Sequence, residues 1–352
     1  CHNIIFTRHC KYKPVFKEDS LKLIPYTLYY SKNMSKTAKK ILVIVGQTAS
    51  GKSDLAIKVA RKFNGEIISA DSRQVYRGMD LGTGKVPKDK IKKHKTARQY
   101  YSGGICHYLI DVASPKKQFT ADDFKKSGQK AIEEIMAKNK IPVIVGGAGF
   151  YIDVLLGRIS VAEVPPDKKL RLKIEKQSTK QLLKKLQKLD PERARTIDSK
   201  NKRRLIRALE IVLTTGKPVA KPILSVKYKI LWLGLKPKDL EKRIELRLNK
   251  RLRQGMIKEV EGLREQGVSW KRLDDLGLEY RWTSRWLKNN PQPAIDNSQF
   301  KKSEEYLNLL RDIIKYSKRQ TTWFKRNKEI HWLAPSKVEG VKEAEKLTQS
   351  FL

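Results

Sequence analysis

The sequence predicts an α/β protein in which helices cover both faces of a parallel sheet, with a helical insertion. The sheet is predicted because short apolar runs rich in β-branched residues alternate with helical patterns from Lys40 onwards. The insertion is predicted because, beyond Pro165-Pro166, the chain becomes dense in Lys, Arg and Leu at helical spacing. Continuous apolar strands are typical of a parallel sheet that is buried on both faces.

The individual elements follow from these patterns. In the first half we predict strands and helices in the order Ile41–Val45, Leu55–Phe63 (helix), Glu66–Ser69, His107–Val112, Ala121–Lys138 (helix) and Ile141–Val145. In the second half we predict one strand among helices, in the order Asp167–Lys176, Thr179–Leu189, Lys202–Leu213, Tyr228–Leu235 (strand), Lys238–Gln266 (interrupted by Gly255 and Gly262) and Ser303–Lys325.

These elements divide the chain into five predicted segments. Residues 1–39 form a basic extension that we expect to be disordered or not native, with Met34 as a candidate start. The remaining segments are a core with the principal site at 40–160, a helical insertion at 161–202, the remainder of the core with basic helices at 203–335, and a C-terminal tail at 336–352.

Charge is the dominant feature of the composition. The 352 residues include 77 basic and 37 acidic side chains, which gives a formal charge of +40 spread along most of the chain. This surplus predicts a polyanionic partner, and the alternative is a solubility surface or a salt-adapted proteome.

Cysteine usage and hydropathy indicate the compartment. The three cysteines, Cys1, Cys10 and Cys106, form neither a disulfide framework nor a zinc-finger spacing. No apolar run approaches the roughly 20 residues of a membrane-spanning helix. We therefore expect a soluble cytoplasmic monomer without a membrane partner, although the acid-poor N-terminal segment leaves organellar import open.

The strongest local motif lies between the first predicted strand and helix. It fits the phosphate-loop pattern G-x-x-x-x-G-K-[ST], in which backbone amides and the positive end of a helix dipole surround an anion. Lys52 would neutralise a terminal phosphate and Ser53 would hold Mg²⁺. The sequence therefore predicts a P-loop NTPase-like core that binds a ligand with two or more phosphates through Gly46, Gln47, Thr48, Ala49, Ser50, Gly51, Lys52 and Ser53.

The acid that usually supports such a loop is missing from its expected strand. The strand Ile141–Val145 ends in Gly146-Gly147-Ala148-Gly149, without a carboxylate. Asp71, after Ile67-Ile68-Ser69-Ala70, is the better placed acid at a strand end beside the loop. It would either help to hold a metal or address a second substrate.

The residues around Asp71 resemble the signature of tRNA dimethylallyltransferases, also called tRNA isopentenyltransferases. The similarity extends from about Ile41 to Trp332. The motifs that carry it are Ser69 to Asp80, Gly82-Thr83-Gly84-Lys85, His107 to Asp111, Phe119 to Phe124, Gly146-Gly147, Asp190-Pro191, Arg204 to Glu210, Thr215-Gly216-Lys217, Lys318-Arg319-Gln320 and Trp323-Phe324.

The resemblance implies the transfer of a dimethylallyl group from dimethylallyl diphosphate to the exocyclic amine of adenosine 37 in a tRNA anticodon stem-loop. It implies that the loop holds the diphosphate, with Mg²⁺ on Ser53, and that Asp71 accepts the amine's proton. Lys52 and Arg171 are implied as further catalytic residues. The residues implied to contact tRNA are Asp71, Ser72, Arg73, Gln74, Ala148, Arg171, Arg203, Arg204, Arg207, Gly277, Arg281, Lys318, Arg319 and Gln320.

Two positions depart from the family pattern. Ala148 stands where the family usually has threonine. Either Ser72, Thr48 or water supplies the missing hydroxyl, or transfer is slower, or the chain prefers a variant donor. Leu276–Tyr280 departs from the commoner Ile-Gly-Tyr form, which affects the RNA contacts expected there. We predict that Trp323 and Phe324 are core anchors instead of base-stacking residues, because their helix must pack on the sheet.

Two other function classes remain open from the residues alone. A small-molecule P-loop kinase accounts for the loop but leaves the Asp71 signature and the basic surplus unused. A non-enzymatic or ATP-driven RNA-binding module accounts for the charge alone.

Overall fold

The structure is a computed structural model that describes residues 39–90, 99–159, 161–162, 164–219, 228–290, 297–334 and 337–352. The expectation of a disordered or non-native extension falls almost entirely on residues 1–38, outside this described part. Lys39, the last residue of that predicted segment, already belongs to the first strand.

A seven-stranded sheet forms the centre of the main unit, in the order β3-β4-β2-β5-β1-β6-β7. All neighbouring strands are parallel except β3 and β4, which are antiparallel. This confirms the predicted fold class. The strands are β1 (Lys39–Gly46), β2 (Gly65–Ala70), β3 (Tyr100–Ser102), β4 (Ile105–Tyr108), β5 (Ile141–Gly146), β6 (Tyr228–Leu235) and β7 (Ile330–Trp332).

Helices of the main unit follow the strands and cover the sheet. Some of them begin at a side chain that accepts from a free backbone amide; Thr120, for example, forms a reciprocal capping box with Asp123. In the described residues they are α1 (Lys52–Lys62), α2 (Ala121–Ala137), α3 (Gly149–Leu155), α8 (Leu240–Arg253), α9 (Met256–Glu265), α10 (Trp270–Leu276), α11 (Leu278–Asn289), α12 (Asn297–Lys302), α13 (Glu304–Phe324) and α14 (Lys337–Phe351).

In the central strand β1, the run Ile41–Val45 is entirely apolar because both faces of the strand are buried. Ile41, Val43 and Val45 pack into the larger core on one face, which includes residues of α2 and α8–α13. Leu42 and Ile44 pack into a second core on the other face, with α1 and α14. Successive side chains of a strand point to opposite faces, so a strand that is covered on both sides loses its polar alternation.

Three predicted boundaries in the main unit are wrong. The strand predicted at His107–Val112 ends at Tyr108, because Leu109 and Asp111 adopt positive φ angles of 62° and 59°. The helix predicted over Lys238–Gln266 is broken at Gly255, as predicted, where φ is 101°, but Gly262, the second predicted interruption, lies within α9. The segment 336–352, predicted as a tail, is the helix α14, which packs on α1 and β6.

The insertion is a separate compact unit, Ala162–Lys221. Its helices are α4 (Lys168–Glu175), α5 (Thr179–Leu189), α6 (Pro191–Thr196) and α7 (Lys202–Thr215). The predicted end of the insertion at residue 202 is wrong because α7 supplies Leu205, Leu209 and Val212 to the core that α4 and α5 share. The insertion therefore extends through α7.

No helix in the described part of the chain is both long and apolar enough to cross a membrane.

Candidate functional site: a phosphate loop opposite an aspartate

The carboxyl ends of β2, β5 and β1 lie side by side at one edge of the sheet. The register pairs Gly146 of β5 with Ala70 of β2 and with Val45 of β1. A Cβ on Gly146 would lie 2.1 Å from the carbonyl oxygen of Ala70, so only glycine fits there. The segments that follow these three strands, which carry the phosphate loop, Asp71 and Ala148, therefore meet at the same edge.

The phosphate loop joins β1 to α1 as predicted. Ala49 and Gly51 have positive φ angles of 60° and 91°, which turn the backbone tightly into the helix. The Ser50 amide donates to the Gln47 carbonyl at 3.2 Å, and the Lys52 Nζ donates to the same oxygen at 3.2 Å. In the described chain the buried Ser50 Oγ has no hydrogen-bond partner, so this hydroxyl is available to a ligand.

Burial and two neighbouring charges shift the pKa of Lys52. Burial lowers the pKa of its ammonium to about 8, the Asp71 carboxylate opposes this shift, and the positive Arg247 adds to it. Lys52 and Asp71 are therefore close enough to interact across the edge of the sheet.

Arginines on α8 lie beside the phosphate loop and the turn at Gly82–Gly84, and sequence reasoning missed them. Arg243 donates from Nε to the Ala49 carbonyl at 3.0 Å. Arg251 donates to the Gly82 carbonyl at 2.8 Å and pairs with Glu279 at 2.9 Å. Arg247, between them at the i, i+4 spacing, has no hydrogen bond or ion pair with any described residue. That spacing was visible in the sequence, but among so many basic residues it did not stand out.

Asp71 has one carboxylate oxygen engaged and one available. Its Oδ1 accepts hydrogen bonds from the amides of Arg73 at 2.8 Å and Gln74 at 3.3 Å. Its Oδ2 accepts none from the described residues. The aspartate thus caps the turn after β2 and still presents an oxygen that can accept a proton.

Gln74 is held by the protein itself. Its Oε1 accepts from the Ser69 hydroxyl at 2.9 Å, and its Nε2 donates to the Thr83 carbonyl at 3.4 Å. Both ends of the amide are engaged, which fixes the turn that carries Asp71. The contacts of Gln74 and its neighbour Ser72 with tRNA stay predictions.

The structure brings Arg73 next to Gly277 and Arg281, about 200 positions away in the sequence. The Arg73 guanidinium donates to the Asp275 carbonyl at 3.5 Å, close to Gly277, where α11 begins. The Arg281 Nε donates to the Asp274 carbonyl at 3.1 Å. Arg73, Gly277 and Arg281 therefore form one surface group beside the Asp71 turn, and their predicted role in RNA contact remains a prediction.

The predicted triplet on α13 has two different environments. Lys318 and Arg319 are exposed, and Lys318 pairs with Glu241 at 3.1 Å. Gln320 is buried and binds the loops at the ends of β1 and β5: its Oε1 accepts from the Thr48 amide at 2.8 Å, and its Nε2 donates to the Gly147 carbonyl at 3.0 Å. Lys318 and Arg319 are thus accessible to a nucleic acid, whereas the amide of Gln320 is engaged inside the protein.

The prediction of core anchors on α13 is confirmed. Phe324 is buried in the larger core. Trp323 packs over Gly149, where an added Cβ would lie 2.2 Å from the indole, and donates from Nε1 to Asp153 at 2.9 Å. Ala148 precedes this contact as the N-terminal cap of α3 and donates its amide to the Ala70 carbonyl at 3.4 Å.

The predicted arginines of the insertion separate into two pairs. Arg171 donates to Glu210 from Nε at 2.8 Å and from Nη2 at 2.7 Å, and Arg207 donates to the same buried carboxylate at 2.5 Å. Arg203 and Arg204 are exposed on α7. Arg171 and Arg207 therefore brace the insertion, and the predicted roles of all four toward substrate stay predictions.

The fold and the loop define the class of protein. A parallel sheet in which the first strand runs through a glycine-rich anion loop into a helix is the architecture of a P-loop protein. Residues 74–327 match the profile of the family described as IPP transferase. The chain therefore belongs to the IPP transferase family.

Proteins similar in sequence to this chain include two tRNA dimethylallyltransferases. A protein of Treponema denticola named tRNA dimethylallyltransferase 2 is 35% identical over 83% of this chain and 95% of its own length. A tRNA dimethylallyltransferase of Bacillus mycoides is 35% identical over 87% of this chain and 93% of its own length.

Two solved structures resemble the fold. The tRNA isopentenylpyrophosphate transferase of Bacillus halodurans has a TM-score of 0.61 at 30% identity, covering 89% of this chain and 96% of the other. A eukaryotic dimethylallyltransferase described as acting on tRNA has a TM-score of 0.72 at 25% identity, covering 89% of this chain and 79% of the other.

Proposed function

We propose that this enzyme transfers the dimethylallyl group of dimethylallyl diphosphate to N6 of adenosine 37 in the anticodon loop of a tRNA, releasing diphosphate. The observation that carries the proposal is the juxtaposition of an anion loop and an available aspartate oxygen at one edge of the sheet. Membership of a family whose named relatives are tRNA dimethylallyltransferases supports it.

The strand order sets the separation between the two halves of the site. β1, which leads into the loop, and β2, which leads into Asp71, are separated only by β5. Neighbouring strands lie about 4.8 Å apart, so the two strand ends are about 10 Å apart. This gap accommodates a five-carbon group between a diphosphate on the loop and an adenine amine beside Asp71.

The loop stabilises the leaving group. As the bond between the allylic carbon and the diphosphate oxygen breaks, negative charge grows on the diphosphate. The ammonium of Lys52 lies against the loop, and the positive charge of Arg247 acts on the same region. Preorganised positive groups at such a position stabilise the transition state because they need no rearrangement as the charge develops.

The Mg²⁺ proposal is consistent with the residues at the start of α1. Ser53 is the second residue of α1, and the orphaned Ser50 Oγ lies in the loop that precedes it. Ser53 would therefore hold the ion together with phosphate oxygens of the substrate. When bound, the ion would supply countercharge to the departing diphosphate.

Asp71 completes the transfer. The adenine amine is a weak nucleophile because its lone pair is shared with the ring. The Oδ2 of Asp71 would accept a hydrogen bond from N6–H and take that proton as the new C–N bond forms. The amine thus remains neutral after it has gained the dimethylallyl group.

The RNA must present an adenine that is out of the stack. Extruding a base costs a few kcal/mol and is easiest in an unpaired loop, which favours an anticodon loop over a duplex. Phosphate contacts from a chain of charge +40 would offset this cost, and they predict RNA binding that weakens steeply with salt.

The test is transfer of label from radiolabelled dimethylallyl diphosphate to unmodified tRNA in the absence of ATP. We expect label in the tRNA from the intact enzyme, and a large loss of transfer in Lys52→Ala. Lys58→Ala is the matched control, because Lys58 is an exposed lysine of the same helix. In a parallel reaction that contains ATP, consumption of ATP without label in the RNA would point instead to a kinase or an ATPase.

A further inference from the structure

The middle of α13 contacts both loops of the donor site. Gln320 accepts a hydrogen bond from the Thr48 amide and donates one to the Gly147 carbonyl, at 2.8 and 3.0 Å. The next residue, Thr321, accepts a hydrogen bond from the Gln47 side-chain amide. Two adjacent residues of one helix therefore hold two adjacent residues of the phosphate loop, about 270 positions away in the sequence.

The packing around this contact is tight. Gln320 is 5% exposed, and a Cβ added to Gly147 would lie 2.0 Å from its Nε2. The glycine at 147 is therefore required for the approach of the glutamine amide. A buried amide of this kind is stabilising only while both its donor and its acceptor are satisfied, so the loops and the helix must keep this arrangement together.

We propose that Gln320 and Thr321 are positioning residues that hold the phosphate loop in its diphosphate-binding shape, and that Gln320 does not contact the tRNA. The proposal rests on the proposed function for the identity of the ligand. The side chain of Gln320 accepts from the Thr48 amide, so this amide is satisfied by the protein and the backbone at Thr48 is held in place. The strained residue Ala49, with φ at 60°, follows directly and needs such a restraint.

The same helix carries the exposed Lys318 and Arg319 one or two residues before Gln320. Within this short segment, the exposed side chains of Lys318 and Arg319 are therefore available to the RNA, whereas the buried amide of Gln320 supports the donor site. Substitutions of Lys318 or Arg319 should therefore change the affinity for RNA, and a substitution of Gln320 should change the affinity for the donor.

The experiment compares two adjacent threonines with the same substitution. Thr321→Val removes the acceptor for Gln47. Thr322→Val is the matched control because Thr322 is exposed and, among the described residues, its hydroxyl donates only to the Lys318 carbonyl of its own helix. Thr321→Ser restores the hydroxyl. Gln320→Met removes both amide hydrogen bonds at nearly constant volume. The readouts are the Kd of inorganic diphosphate by calorimetry, the KM of each substrate and kcat.

We expect Gln320→Met to weaken diphosphate binding and raise the KM of dimethylallyl diphosphate about 5- to 20-fold, with the KM of tRNA within twofold of the parent. Thr321→Val should show a smaller change of the same kind, Thr321→Ser should reverse it, and Thr322→Val should show none. If Gln320→Met does not fold, the threonine series alone decides.

Two outcomes would overturn the assignment. A rise in the KM of tRNA with unchanged diphosphate affinity would make Gln320 an RNA contact, and unchanged values throughout would show that the hydrogen bonds do not shape the loop. A parent enzyme that binds diphosphate but does not label tRNA would refute the proposed function while the diphosphate titrations still judge the positioning role.

Discussion

Asp71→Asn separates the two roles that the structure gives to Asp71. The asparagine oxygen still accepts from the amides of Arg73 and Gln74, so the turn after β2 is kept. The side-chain NH₂ that replaces Oδ2 cannot accept the proton of the adenine amine. We therefore expect a chemical defect without a folding defect.

The magnitude follows from the two contributions. Loss of a general base lowers kcat about 10²- to 10⁴-fold, which corresponds to about 3 to 5 kcal/mol of activation free energy. Asp71→Ala should lose the same activity and also about 1 kcal/mol of stability, because it removes the acceptor for the two amides. Asp71→Asn should unfold at the parent temperature.

The assay is single-turnover transfer of labelled dimethylallyl to tRNA, with thermal unfolding measured on the same preparations. Single-turnover conditions remove product release from the rate. A variant Asp71→Asn whose single-turnover rate stays within threefold of the parent would refute the role of Asp71 as proton acceptor. A low rate accompanied by the same loss of stability as Asp71→Ala would instead mean that the turn has collapsed.

The remaining predictions concern Lys52, Glu210 and the exposed arginines of the insertion. Because the pKa of Lys52 is lowered to about 8, kcat/KM for the donor should fall as the pH rises through 8 and the ammonium is lost; Lys52→Arg should remove this basic limb from the pH profile. Glu210→Gln leaves Arg171 and Arg207 without their buried carboxylate and should lower the free energy of unfolding by about 3 kcal/mol, seen as a lower melting temperature of the insertion. The double variant Arg203→Gln with Arg204→Gln should raise the KM of tRNA, reduce its salt dependence and leave the KM of the donor unchanged.

The hydrogen bonds to Glu210 also predict acid sensitivity with a defined sign. Burial alone would raise the pKa of this carboxyl, but the hydrogen bonds from Arg171 and Arg207 and the Asp167 amide outweigh it and lower the pKa. A carboxyl with a lowered pKa stabilises the fold above its ordinary pKa near 4.5, and this stabilisation is lost as the pH falls toward the folded value.

Local sequence patterns predict the buried central strands and the phosphate loop. The runs Ile41–Val45 and Ile141–Val145 are β-branched and apolar because both faces of these strands are buried, and the loop between β1 and α1 has a glycine pattern that few other structures require. The strand Tyr228–Leu235 was predicted with its observed bounds.

Elements that depend on distant partners were not predicted. The edge strands β3 and β7 have only three residues each, too few to show an alternation, and exist because β4 and β6 offer free edges. Arg243 of α8 and the amide of Gln320 reach the phosphate loop across more than 190 residues of chain. No local pattern marks such contacts, so their roles emerged only from the structure.

The glycines at the carboxyl end of β5 have a structural reason that the sequence does not show. Their lack of a carboxylate removes the usual metal-binding strand acid, and the sequence alone leaves the reason open. The structure supplies a steric reason, since a side chain at Gly146 would strike the Ala70 carbonyl and one at Gly147 would strike the Gln320 amide. Both contacts join β5 to the two halves of the site, one to the strand that leads to Asp71 and the other to the helix that holds the phosphate loop. An aspartate placed at either position, by Gly146→Asp or Gly147→Asp, should therefore impair the donor site instead of improving metal binding.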